Sequence, residues 1–256
     1  MGLTIHYQLK TKGSAAQARK LVEQLHQQAL DLPVKEVGGL VDLSGDECDY
    51  DQRGKDDPLR WLLIQAQGSV SLAHLPGESE SSSCRVAPLR MIAFTAWPGE
   101  GCEESNFGLC QYPAEISEPR HGRLKAKLSG WRWSSFCKTQ YSSDPNCGGV
   151  PNFLRCHLTV IAMLEKAKEL HCLDSVGDES HFWEHRNVET LVKEIGSWNE
   201  MLAAFGGKLK DVLGGGLAMP IAEYPNFEQL ELAGQKQLPP EIEQLARLIQ
   251  QVRQKS

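Results

Sequence analysis

The chain reads as an α+β protein, a two-layer sandwich of about six mainly antiparallel strands with helices on one face, and three observations carry that reading. A clean two-residue alternation opens the sequence and is followed at once by a helical repeat. Short β-type runs separated by turn residues then occupy positions 34–141. Three helical patterns close the chain.

The opening strand is GLTIHYQLK. Leu3, Ile5, Tyr7 and Leu9 fall on one face, and Thr4, His6, Gln8 and Lys10 on the other, as expected for a strand with one buried and one wet side. After Lys12-Gly13, Ser14 is placed to cap a helix whose Ala15, Ala18, Leu21, Val22, Leu25 and Ala29 recur at helical spacing until Pro33. Strands are then expected at 34–43, 59–66 (with 70–74), 86–96, 107–112 and 125–141. Their connections are too short for helical crossovers, so an antiparallel meander is predicted. The segment GESESSSC at 77–84 has the composition of a flexible loop.

Pro151 sits well for the first turn of a long helix over 152–171, whose broad apolar face (Phe153, Leu154, Leu158, Val160, Ile161, Leu164) suits packing across a sheet. A second helix is predicted over 188–205, stopped by Gly206-Gly207. Residues 214–238 read as irregular, and Pro239-Pro240 opens an amphipathic helix at 241–253. Residues 1–213 are therefore expected to form one domain, with 214–256 packed on it or on a partner.

Composition narrows the function classes. With 41% hydrophobic and 23% charged residues the chain is large enough for a full core, and no apolar run approaches a membrane span. No basic-then-apolar leader precedes the first strand, so the eight cysteines are expected to be free thiols in a reducing cytoplasm. A net charge of −6 argues against a nucleic-acid partner. Charge is nevertheless uneven: residues 42–57 carry six aspartates, whereas 120–138 carry Arg120, Arg123, Lys125, Lys127, Arg132 and Lys138 and no acid.

Candidate chemistry gathers at GWRWSSFCKTQYSSDPNCGGVPNFLRCHL, residues 130–158. Strand alternation there sets Trp131, Trp133, Ser135 and Cys137 on one face and Arg132, Ser134, Phe136 and Lys138 on the other. Arg155, Lys138 and Asn152, with Trp131, Trp133 and Tyr141 as apolar walls, form the expected site for a small anionic ligand near the positive end of the long helix. The alternative is a hydrolase or transferase with His157 as general base and Cys156 or Cys147 as nucleophile. Adjacent helical residues diverge by about 100°, so Cys156 and His157 cannot form a dyad with each other.

A third reading is an interaction module, or a homodimer, through the terminal helix. The sequence does not decide whether the protein is an enzyme.

Metal motifs are weak. His181 and His185 have helical spacing without an HExxH pattern, and no CxxC occurs. Asp49, Asp51 and Arg53 fail as a calcium loop, because a cation stands where a ligand belongs. Cys102 and Cys110 flank a hairpin loop across which they could approach. No P-loop or dinucleotide fingerprint is present, and no cofactor is expected.

Overall fold

A computed structural model describes residues 3–72, 83–213 and 220–235, and it is α+β as the sequence pattern implies. Strand β1 (Thr4–Thr11) buries Ile5, Tyr7 and Leu9 and exposes His6 and Gln8, which is the alternation written in the sequence. Helix α1 (Ala15–Asp31) begins at Ser14. Its hydroxyl accepts from Gln17 N while Gln17 Oε1 accepts from Ser14 N, so two otherwise orphaned donors are satisfied reciprocally. Ala18, Val22, Leu25 and Ala29 are the buried stripe.

The remaining strands of the main sheet are β2 (Glu36–Val37), β3 (Val41–Ser44), β6 (Arg90–Trp97), β7 (Ser105–Gln111), β10 (Trp131–Lys138) and β11 (Leu173–Asp178). Their order is β11-β1-β10-β7-β6-β2, with β3 also on β6, and every pairing is antiparallel. The expected meander is corrected in one respect: β1 lies between β10 and β11. Strand β10 is thus joined to β11 by a crossover through α3 (Gly149–Glu169). Two separate antiparallel pairs, β4 (Gly68–Ser71) with β5 (Ser83–Val86) and β8 (Glu115–Glu118) with β9 (Gly122–Lys125), complete the strands among the described residues.

Helices α1 and α3 cover one face. The His26 ring of α1 meets Phe94 edge-on with centroids 4.9 Å apart, and Phe94 and Tyr7 both stack on Phe107. The short helix α2 (Arg60–Gln65) covers β6 and β7 on the opposite face, where Asn106 reaches it. The same face of β1 and β10 is left open.

Several expectations are corrected. Residues 60–65 are helical rather than a strand: the Asp57 carboxylate accepts from Leu59 N at the helix start, and an apolar run this short carries no periodicity of its own. The strand expected over 125–141 is divided, because Lys127 (φ 56°) and Gly130 (φ 75°) turn the chain before Trp131. A Cβ on Gly130 would stand 2.7 Å from Thr11 O, so glycine is required there. Strand β11 was not expected at all, since in LDSVGD only Leu173 and Val176 are large and apolar.

The second long helix, α5 (Val188–Leu213), continues through Gly206-Gly207 instead of stopping there. Gly207 lies against Glu231 of α6 (Phe227–Gly234), so the missing side chain serves a close helix-helix approach. Ala203, Ile221 and Tyr224 form a small core between α5 and the turn at Pro220–Glu223. The helix expected at 241–253 lies outside the described residues, as do 77–82 of the loop expected at 77–84; the last two residues of that segment, Ser83 and Cys84, belong instead to β5.

Candidate functional site

The residues proposed from sequence separate into three environments. Trp131 and Trp133 are core, each 2% exposed. Arg155 and Asn152 do come together, but on protein groups. Arg155 donates to Pro33 O and Pro98 O, both at 2.8 Å, and to Asn152 Oδ1 at 2.7 Å, while Asn152 Nδ2 donates to Glu100 O and Ser142 O. This knot ties the 97–104 turn to the first turns of α3. Lys138 is not part of it: its ammonium lies 4.9 Å from the centroid of the half-buried Tyr141 ring.

His157 has no exposed surface and points the other way from Arg155. Its Nδ1 lies 3.0 Å from Thr139 Oγ1, and its Nε2 lies 3.2 Å from Ser180 Oγ and 3.4 Å from Asp178 Oδ2. Asp178 accepts in addition from Ser180 N, Ser180 Oγ and Trp183 N. Burial pushes this carboxyl up, but the His157 hydrogen bond and charge, with the Ser180 donors, outweigh burial and hold it at about 2. The group locks β10, α3 and β11 together.

Cys156 is buried beside Cys102, whose sulfur lies 3.5 Å from that of Cys137. The partner of Cys102 is thus Cys137 rather than Cys110. Sharing with Cys137 raises the Cys102 thiol far above its ordinary range, and sharing with Cys102 does the same for Cys156. Half-buried Cys147 is raised by burial and by Asp144. The shifts at Cys102, Cys147 and Cys156 all run opposite to the depressed pKa of an activated nucleophile.

His181 caps the start of the short helix α4 (Phe182–His185) and His185 is its last residue, with ring centroids 6.3 Å apart. Among the described residues no group of three or more His, Cys, Asp or Glu side chains is placed to hold a metal ion, and no helix is long and apolar enough to cross a membrane.

A concave surface lies elsewhere, on the open face of the sheet. A cavity of about 560 Å³ is lined by His6, Gln8, Gln65, Ser134, Phe136 and Ser175, among others. It adjoins a second of about 300 Å³ that includes Ser69, Tyr112, Arg132 and Asp174. Gln8, Gln65, Gln67 and Ser134 line both, so the two form one groove.

The groove exists because β7 and β10 part company. They pair only at Trp131 with Gln111 and Arg132 with Cys110. Beyond that point side chains bridge the opening: Tyr7 OH and Trp133 Nε1 both donate to Asn106 O at 2.7 Å. Asn106 Nδ2 and Ser135 Oγ both donate to Gln65 Oε1, at 2.7 and 2.9 Å.

Two glutamines are oriented by these bonds. Gln65, with its oxygen doubly engaged, leaves Nε2 without a partner among the described residues. Gln67 gives its Nε2 to Leu63 O at 3.0 Å and keeps its oxygen free among the described residues. Sequence reasoning passed over Gln8, Gln65, Gln67 and Ser134. The available signal was the wet face of the first strand combined with the polar face of 131–138, which the β1-β10 pairing makes one surface. No protein-family model matches the chain, and no curated protein or solved structure shows significant similarity to it.

Proposed function

We propose that the protein is a binding domain for a small polar ligand taken up in the groove on the open sheet face. The observation that supports this best is the groove itself: its volume falls in the roughly 300–1,000 Å³ range of small-molecule sites, and its polar groups converge on one seam. The polar part of the lining is mostly amide and hydroxyl, with His6, Arg132 and Asp174, which suits a ligand that both donates and accepts hydrogen bonds. A hydrolase or transferase built on His157 would have to bring substrate to a ring with no exposed surface.

The reading is tested by two-dimensional amide NMR of the labelled protein against a panel of monosaccharides, disaccharides, nucleosides, nucleotides and amino-acid amides. At least one compound is expected to perturb Gln8, Gln65, Gln67 and Ser134 in the wild type. That perturbation should be lost in Ser134→Trp, which fills the seam from an exposed position. Perturbations confined to the 97–104 turn and the start of α3, or none from any compound, would overturn it.

A further inference from the structure

Building on the reading of the groove as a ligand site, we infer that its ligand is a ribonucleoside monophosphate, with the base in the larger cavity and the ribose phosphate in the smaller. The seam presents a fixed donor, Gln65 Nε2, and a fixed acceptor, Gln67 Oε1, because the other end of each amide is held by the protein. A donor beside an acceptor is the complement of a nucleobase edge, where an acceptor and a donor stand side by side. A sugar hydroxyl, which both donates and accepts, needs no such fixed polarity.

The larger cavity also has a stacking surface. Phe136 and His6, paired across β10 and β1, hold their rings 5.9 Å apart on the open face. Aromatic side chains on an open sheet are a recurrent platform for bases, since every base has a π-face.

The smaller cavity carries the charges a ribose phosphate requires. Arg132 commits Nε to Ser129 O, and its terminal nitrogens have no partner among the described residues. Lys10 lies directly across from Arg132 in the β1-β10 register and on the same face, outside the cavity lining, where its charge adds to the positive field at that end of the groove. Asp174, on β11, is the acid in this cavity. Its carboxylate can accept from ribose hydroxyls while the guanidinium takes the phosphate, an arrangement that separates the two ends of the ligand.

The test is isothermal titration, with the same NMR readout, of the four ribonucleoside 5′-monophosphates, the matching nucleosides, ribose 5-phosphate, inorganic phosphate, glucose and a short single-stranded oligoribonucleotide. At least one monophosphate should bind in the groove. Its nucleoside should bind roughly ten- to a hundredfold more weakly, the worth of one charge-assisted contact. Arg132→Gln should abolish that difference while leaving nucleoside binding unchanged, and Gln67→Ala should weaken nucleoside and nucleotide alike. Both positions are only partly buried, and thermal melting of each variant reports whether the fold is kept.

Ribose 5-phosphate or inorganic phosphate binding as tightly as the nucleotide would overturn the inference, because the base would not be read. So would the oligonucleotide binding where no monophosphate does. Glucose or another neutral compound entering the groove without any nucleotide would overturn the inference and leave the ligand-site reading standing. If nothing enters the groove, both fail.

Discussion

Replacing Asp178 by asparagine removes the charge at the centre of the lock between α3 and β11 without changing its shape. The folded carboxyl titrates at about 2 against an ordinary value of 3.8. At 1.36 kcal/mol per pH unit that difference contributes about 2.5 kcal/mol of stability at neutral pH. An asparagine also sets an NH2 group where Ser180 N or Trp183 N expects an acceptor, so the loss at pH 7 should be about 3 kcal/mol.

The sign of the pH dependence follows from the depressed value. The stabilisation is complete above the unfolded carboxyl's range, declines as the pH falls below about 4, and is gone once the folded carboxyl is protonated near 2. Urea unfolding followed by tryptophan fluorescence at pH 7, 5, 4 and 3 gives the measurement. The wild-type midpoint should exceed that of Asp178→Asn by about 1 M at pH 7, given a slope of about 3 kcal/mol per M for a chain of this size. The gap should narrow progressively below pH 4. A gap that stays constant from pH 7 to 3, or a variant as stable as the wild type, would refute the assignment of the lock to the Asp178 charge.

Arg155→Ala should lower stability by about 2–4 kcal/mol, because the Pro33 and Pro98 carbonyls and Asn152 lose a charged donor. It should leave ligand binding in the groove unchanged, and paired melting and titration experiments check both. Native labelling with a maleimide, read by intact mass and peptide mapping, should modify Cys84 and Cys147 and spare the six buried cysteines. All eight should react in urea. Rapid native labelling of Cys102 or Cys156 would contradict their burial and raised pKa.

Much of the fold was legible because it depends on local pattern. The alternation of residues 3–9 determines which face of β1 is buried wherever that strand sits, and the Ser14-Gln17 pair starts α1 with no help from the rest of the chain. The aromatic faces of Trp131 and Trp133 follow from the same arithmetic. Where pattern was short or polar it failed. Residues 60–65 were too few to show a period, and β11 is an edge strand whose stability comes from its hydrogen bonds to β1 rather than from apolar side chains.

The candidate site shows the boundary most clearly. Arg155 and Asn152 stand at a helix start and have the chemistry of an anion site, and the sequence determined that placement. Whether their hydrogen bonds were free depended on the carbonyls of Pro33, Pro98, Glu100 and Ser142, which only tertiary packing brings within reach. The groove had the opposite history. Gln8, Gln65 and Ser134 are unremarkable in sequence, separated by 57 and 69 positions, and become one surface because β1 inserts beside β10 and β7 diverges from it. Side-chain direction along a strand is a local property fixed by backbone geometry, whereas the partner a polar group meets depends on contacts between segments far apart in the chain. The sequence therefore determined which residues were buried or wet, and only the tertiary structure decided which polar atoms remained free to meet a ligand.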